Sequence, residues 1–369
     1  PLNAEADITA CKILNAKGSP ETNIKGNIII NNTQVLAQAN PSIDLTKLAL
    51  EVTLTEGANI SPDPARVMDY SHPQKFTVTS EDGNWHKEYS VIIDTFDLPL
   101  RYDFEHYELN ETGKYQVFFE ETQGTALFKQ YIWASGNSGF ALTGVGRNPQ
   151  EYPTVSIENG IDGSRAIKFG ETVKMPIAAG NLFLGSFDVN NAVQKPLKAT
   201  RFGLPFGKKP LQLKGYYKYT PGTQLFKAKD KNGNTVTIPG QEDEGDIYAV
   251  LYEAAELDGQ ALDGNNVLTS KNIVALARVE VEKKDEFTAF HVDFHYGSRI
   301  PIDWPEFIRD QRDPSDDGTG EYLSFSEEKM KNYEYNLAVV FTSSKYGAYF
   351  AGSVGSTLCI DKVEIVCEK

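Results

Sequence analysis

Short segments in which apolar and polar residues alternate, or that are rich in β-branched and aromatic residues, recur along the chain and predict β-strands. In the first hundred residues, Phe76 and Val78 alternate with polar neighbours, as do Tyr89, Val91 and Ile93 in the next such segment. The turn residues 81–84 between these two segments predict a β-hairpin. The strands expected in this part of the chain are 24–30, 48–54, 75–79 and 88–93, within a set of about seven.

Turn-forming clusters at 40–41, 61–64 and 81–84 separate these strands. About 90 residues of short strands match the size of an immunoglobulin-like β-sandwich. We therefore predict such a domain over residues 1–97, followed by a linker that Pro99 stiffens. No Cys-Trp-Cys arrangement is present, so an antibody-type domain is not expected.

The pattern remains one of strands from residue 98 to residue 369. The predicted strands are 114–120, 154–157, 214–219, 247–252, 273–281, 287–294, 337–342 and 357–366, and one short helix is expected at 326–332. Strands joined by irregular loops over this length predict a single larger jelly-roll sandwich. The fold class is therefore all-β, with two domains at 1–97 and 98–369.

Composition excludes several classes of partner. The chain has 369 residues with 51 acidic and 36 basic side chains, so its net charge is −15. This balance disfavours nucleic acid and anionic membrane surfaces, since both are bound through Lys and Arg. Three cysteines are too few for a disulfide framework. The sequence begins at Pro1 without a Met, so we expect a processed or trimmed product from which any export signal is missing.

Signatures of common enzymes are absent from the sequence. It contains neither a G-x-S-x-G nucleophile motif nor a phosphate-binding loop with its Lys and hydroxyl. Carboxylate pairs for glycoside hydrolysis could be drawn from Glu120 with Glu121, Asp303 with Glu306, or the acidic run 242–244. Acidic residues are so numerous that none of these pairs is specific.

Aromatic residues beside amide and basic residues are the stronger signal. A sugar ring stacks on a flat aromatic face while nearby polar groups bind its hydroxyls. The candidate ligand-binding residues are Trp133, Asn137, Tyr217, Lys218, Arg299 and Trp304. Each aromatic residue could equally belong to a hydrophobic core.

Several longer strings support a family resemblance. They are Tyr102-Asp-Phe-Glu105, 133–140 (WASGNSGF), 203–206 (GLPF), 215–222 (GYYKYTPG), 246–252 (DIYAVLY), 341–347 (FTSSKYG), 352–358 (GSVGSTL) and 361–363 (DKV). In this order they resemble the putative carbohydrate metabolism domain of exported lipoproteins from gut Bacteroidetes. The segment before them is similar to the immunoglobulin-like modules of the same lipoproteins.

The resemblance implies a jelly roll similar to carbohydrate-binding modules, located at a bacterial envelope, and it supplies no catalytic residues. The first and last strands of a jelly roll are often neighbours. Asp103 and Glu105 would then lie near Asp361 and could hold a structural calcium. No other cofactor is expected.

The first hypothesis is noncatalytic binding of an oligosaccharide or polysaccharide. Glycoside hydrolysis by a carboxylate pair and protein interaction or adhesion are the alternatives. We expect a monomer that is an outer-membrane or cell-surface lipoprotein or a periplasmic protein, with membrane contact only through a removed lipid anchor.

Overall fold

The chain folds into two β-sandwiches, the smaller one first, as the sequence predicted. The structure is a computed structural model that describes residues 2–95, 97–121, 129–170, 178–254, 257 and 261–369. None of the helices in these ranges is long and apolar enough to cross a membrane.

The first sandwich packs a two-stranded sheet against a five-stranded one, within the described residues. Strands β1 and β4 form the first sheet, and the second has the order β2-β3-β7-β6-β5. The strands are β1 (Ile8–Asn15), β2 (Ile24–Asn31), β3 (Gln34–Ala39), β4 (Leu48–Leu54), β5 (Asn59–Ser61), β6 (Gln74–Thr79) and β7 (His86–Asp94).

Alternation along β6 and β7 builds the core of this domain. Phe76 pairs with Tyr89 across the predicted hairpin, and both side chains are buried. The hairpin turn contains Gly83 with a φ of +71°, a left-handed conformation that favours glycine. Strand β3 runs parallel to β7 and is buried along its whole length.

The second sandwich consists of two large antiparallel sheets, within the described residues. The eight-stranded sheet has the order β13-β16-β26-β22-β23-β25, with β17 and β18 paired to its strands. The six-stranded sheet has the order β14-β15-β27-β19-β24, with β8 beside β27.

The strands of this domain begin with β8 (Arg101–Tyr102), β9 (Tyr107–Leu109), β10 (Gln116–Phe118), β11 (Glu120–Glu121), β12 (Lys129–Gln130), β13 (Trp133–Ala134), β14 (Thr154–Ile157), β15 (Ala166–Gly170), β16 (Asn181–Phe187), β17 (Thr200–Phe202) and β18 (Leu204–Pro205). They continue with β19 (Pro210–Thr220), β20 (Lys227–Lys229), β21 (Thr235–Thr237), β22 (Asp246–Glu253), β23 (Ile273–Val279), β24 (Lys284–Asp293), β25 (His295–Tyr296), β26 (Tyr335–Thr342) and β27 (Thr357–Cys367).

Helices are short and lie in the connections. They are α1 (Asn137–Ala141), α2 (Pro196–Ala199), α3 (Glu306–Arg309) and α4 (Glu327–Lys331), with 3₁₀ turns at 149–151, 161–163, 189–191 and 347–349. Helix α4 lies where the sequence predicted it. The Ser326 hydroxyl accepts a hydrogen bond from the Lys329 amide and caps its first turn.

The eight-stranded sheet is covered on both faces. Alternate residues such as Leu182, Ile247 and Phe341 point into the core between the two sheets. Phe183, Tyr248 and the other intervening residues form a second apolar cluster on the opposite face. The loops that cover the outer face of this sheet leave space for a cleft between themselves and the sheet.

The two domains are packed against each other. Ile29, Leu36 and Ile92 of the first sandwich belong to the main core cluster of the second. The Asn31 amide donates to the Trp133 carbonyl oxygen over 2.9 Å, and the Gln34 amide donates to that of Lys129 over 2.6 Å. The first domain is therefore anchored by both apolar and polar contacts.

Candidate functional site

A cleft of about 950 Å³ lies on the outer face of the eight-stranded sheet, and we call it the sheet-face cleft. Its floor is formed by Phe183 of β16, Tyr248 of β22 and Val340 of β26. Its walls are loops that follow or precede the strands. The wall residues used below are Phe140, Leu142, Val193, Lys229, Trp304, Lys345, Tyr349 and Phe350.

An ion pair crosses the floor of the sheet-face cleft. Arg278 of β23 binds Asp246 of β22 through two hydrogen bonds, Nε to Oδ1 over 3.0 Å and Nη2 to Oδ2 over 2.7 Å. A bidentate geometry of this kind is the strong form of an arginine–carboxylate contact. Both oxygens of Asp246 are thereby engaged.

Trp304 forms part of one wall, as a half-buried side chain. The Arg312 guanidinium lies 4.0 Å from the centre of its ring, an arrangement that stabilises both groups. Arg312 also donates to the Tyr349 hydroxyl over 2.7 Å and pairs with Asp316 over 3.2 Å. These contacts hold the indole in place beside the cleft.

Exposed apolar side chains occur at the rim. Leu142 is 56% exposed and Val193 is 74% exposed, and both line the cleft. Phe350, which also lines the cleft, ends the 3₁₀ turn 347–349 in a left-handed conformation with a φ of +56°. These features make the cleft the best candidate site in the described residues.

Trp304 is the one predicted ligand-binding residue found in the lining of this cleft. Trp133 does not line the cleft, because it is 2% exposed and its indole packs against Tyr102, Phe104 and Phe341. Almost no face of this indole is accessible for stacking on a sugar.

Asn137 and Tyr217 are buried as well and lie outside the lining of the cleft. The Asn137 side chain bonds the Thr154 backbone at both its amide and its carbonyl, over 2.8 and 3.1 Å, and ties α1 to β14. Tyr217 packs on Phe290, and its hydroxyl accepts a hydrogen bond from the Glu282 amide. Both residues serve the fold.

Lys218 and Arg299 lie elsewhere. Lys218 is half-buried on β19 of the six-stranded sheet, 5.1 Å from the Phe287 ring. Arg299 stacks on Tyr322 and donates to the carbonyl oxygens of Thr269 and Ser270 over 3.2 and 2.6 Å. Burial lowers the pKa of Arg299. The structure therefore does not bring the six predicted residues together.

Two of the three calcium candidates, Asp361 and Glu105, accept hydrogen bonds. Strand β8 does pair with β27, as predicted for the first and last strands of this domain. However, Asp361 is fully buried and accepts bonds from the Ile161 and Lys362 amides and the Ser164 hydroxyl, while Glu105 accepts from the Arg165 amide. Burial raises the pKa of Asp361.

These bonds hold the loop at 160–165 against the last strand, and Asp103 is exposed. Within the described ranges, no group of three or more acidic, His or Cys side chains is placed to hold a metal. Both carboxylate oxygens of Asp361 and one of Glu105 are engaged in hydrogen bonds.

Another buried carboxylate, Asp243, joins segments that the sequence analysis treated separately. Its Oδ2 accepts from the Ser344 hydroxyl over 2.5 Å, the Ser356 hydroxyl over 2.7 Å and the Ser353 amide over 2.8 Å. Burial raises the pKa of Asp243. This cluster lies under one wall of the cleft, since Ser344 also lines it.

The floor residues were missed by sequence reasoning. Strands β22 and β26 are apolar almost throughout, a pattern typical of strands that are buried on both faces. The apolar pattern of β22 and β26 therefore indicates that the outer face of the eight-stranded sheet is covered. The positions of Asp246 and Arg278 on different strands gave no sign that the two residues pair.

The chain is a modular β-protein, built from two β-sandwiches with a cleft on one sheet face. Comparison with known proteins identifies its family. Residues 103–366 match the model of the putative carbohydrate metabolism domain, so the chain belongs to that family. Residues 13–93 match the SGBP N-terminal domain. No curated protein matches the chain.

Two solved structures resemble this chain over much of its length. One is a putative glycoside hydrolase from Bacteroides thetaiotaomicron, 38% identical, with a TM-score of 0.80 over 100% of this chain and 98% of the other. The second is a putative glycoside hydrolase from Bacteroides vulgatus, 33% identical, with a TM-score of 0.58 over 74% of this chain and 100% of the other.

Proposed function

We propose that the protein binds a glycan in the sheet-face cleft without cleaving it. The observation that carries this proposal is the cleft itself, about 950 Å³ in volume and lined mainly by apolar and aromatic side chains with a few polar groups. Ligand sites commonly have this composition. The carbohydrate-related family of residues 103–366 supports the same conclusion.

Trp304 and the exposed rim residues Leu142 and Val193 offer the apolar contacts. Sugar rings present flat C–H faces that pack on such surfaces, while their hydroxyls bind polar neighbours. Thr143, Asn181 and Thr342 line the same cleft and supply hydroxyl and amide groups. The cleft thus combines both kinds of contact.

The charges of the cleft favour binding over hydrolysis. Glycoside hydrolysis by the usual route needs two carboxyl groups on opposite sides of the scissile bond. Asp246 is the sole acidic residue in the described lining, and Arg278 engages both of its oxygens. This arrangement supports a noncatalytic role, although both similar solved structures are named as putative glycoside hydrolases.

The test is a glycan array with the wild-type protein and two matched variants. We expect Trp304→Ala to lower the signal for the bound glycan at least about tenfold, since stacked aromatic contacts dominate such sites. Trp85→Ala is the control, because Trp85 is 62% exposed in the first domain. Equal binding by wild type and Trp304→Ala would contradict the proposed site.

The noncatalytic part of the proposal is tested on the same glycans. The glycan that binds is incubated with the wild-type protein, and the release of new reducing ends is measured. We expect no release above that of a protein-free sample. Release that is proportional to protein concentration would establish a hydrolase and refute this part of the proposal.

We further propose that the protein is exported and acts at the bacterial envelope as a monomer, in the acquisition of polysaccharide. The SGBP N-terminal domain at residues 13–93 supports this placement. Cell fractionation with antibody detection tests it. Recovery of the protein in the cytoplasmic fraction would contradict the proposed location. Light scattering measures the molar mass in solution, and a mass above that of one chain would contradict the monomer.

A further inference from the structure

We propose that the glycan held in the sheet-face cleft is anionic, carrying uronic acid carboxylates or sulfate esters. This inference rests on the proposed function and names its class of ligand. The observation behind it is a local reversal of charge. The chain has 15 more acidic than basic residues, whereas the described lining of the cleft contains Lys229, Arg278 and Lys345 against Asp246.

Arg278 is already neutralised by Asp246, so the ligand would meet the two lysines. The Lys229 amino group donates to the Thr235 hydroxyl over 2.9 Å, a neutral partner on the facing strand β21. No ion pair of Lys229 is found among the described residues. Its positive charge is therefore uncompensated at short range.

Lys345 has an acidic partner that a ligand could replace. Its amino group lies 3.3 Å from Glu244 Oε2, and the Glu244 side chain is 55% exposed and outside the lining. Ion pairs that are open to solvent contribute little to stability. An anionic group in the cleft can therefore compete for Lys345 at low cost.

The net charge of the whole chain gives a second reason to expect a local positive site. A net charge of −15 repels a polyanion, so nonspecific attraction cannot account for its binding. Retention of an anionic glycan would need a local positive site. The cleft provides one in Lys229 and Lys345.

The test compares polysaccharides that differ only in charge, by affinity electrophoresis and calorimetry. Polygalacturonate is paired with its methyl ester for the carboxylate, and dextran sulfate is paired with dextran for the sulfate. We expect the anionic member of at least one pair to bind at least about tenfold more tightly, as for one favourable charge contact. The pair that responds distinguishes carboxylate from sulfate.

Variants then assign the effect to the cleft. Lys229→Met with Lys345→Met should lower the affinity for the anionic polymer about tenfold, and Lys231→Met is the matched control because Lys231 is exposed and outside the lining. Thermal unfolding of each variant verifies the fold.

Each outcome separates this inference from the proposed function. Equal affinity for charged and neutral members, or an unchanged anionic preference in the double variant, would overturn the inference. Binding of neutral glycans alone would leave the proposed function standing. The absence of binding to any glycan would overturn both.

Discussion

Replacing Glu120 with Gln should remove a pH-dependent loss of stability. Glu120 lies on β11, is 8% exposed and accepts a hydrogen bond from the Trp133 indole over 2.9 Å. Burial raises its pKa from an ordinary value of 4.5 to about 7. Glutamine retains the accepting oxygen and the shape but has no proton to lose in this range.

The sign and size follow from proton linkage. The folded state binds the Glu120 proton more tightly than the unfolded state, so the free energy of unfolding falls as the pH rises from 4.5 to about 7. Above that range the loss is constant. A pKa change of one unit is worth about 1.4 kcal/mol, so this carboxyl should cost the wild type about 2–3 kcal/mol between pH 5 and pH 8.

The assay is urea unfolding at 25 °C, followed by tryptophan fluorescence at several pH values between 5 and 8. We expect the free energy of unfolding of Glu120→Gln, relative to that of the wild type, to increase by about 2–3 kcal/mol as the pH rises from 5 to 8. Glu88→Gln is the control because that carboxyl is 58% exposed. Parallel curves for wild type and Glu120→Gln at all pH values would refute the reasoning.

Three further changes test the packing described above. Trp133→Ala removes a buried indole and should lower the free energy of unfolding by about 3–5 kcal/mol. The control Trp85→Ala should change it by less than about 0.5 kcal/mol. Urea unfolding measures both variants. Asp246→Ala should cost about 3–5 kcal/mol because it leaves Arg278 largely buried without its partner, and adding Arg278→Met should restore part of that loss. Asp361→Ala removes the acceptor that holds the loop at 160–165, so limited proteolysis should cut this loop faster, and an unchanged rate would contradict that role.

Much of the strand pattern could be predicted because period-two alternation records which face of a strand is buried. Strands β4 and β14 occupy the predicted residues, and the helix with its Ser326 cap is confirmed. Strand β3 was not singled out. It is buried on both faces and contains two glutamines, so it shows no alternation.

The site was predicted less well, for a physical reason. Trp133 and Trp304 are the same residue type, yet the first lies in the core and the second lines the cleft. The difference depends on which strand face and which loop each occupies after the sheets have packed. The sequence does not record that tertiary information locally.

The strings that carried the family resemblance contribute both to the scaffold and to the cleft, whose lining includes their residues Asp246, Tyr248 and Lys345. Segments 341–347 and 352–358 meet at the buried carboxylate of Asp243, which bonds Ser344, Ser353 and Ser356. A side chain added at Gly352 would lie 2.7 Å from the Ser344 hydroxyl oxygen, closer than real contacts allow.

The Asp243 cluster thus gives these strings a structural role. Of the cleft residues discussed above, Asp246, Tyr248 and Lys345 lie within the strings, whereas Lys229, Val193 and Trp304 lie outside every one of them. Two proteins could share the Asp243 cluster and still differ at these three positions. Membership of the family therefore predicts the sandwich, while the ligand class has to be determined from the cleft of each chain.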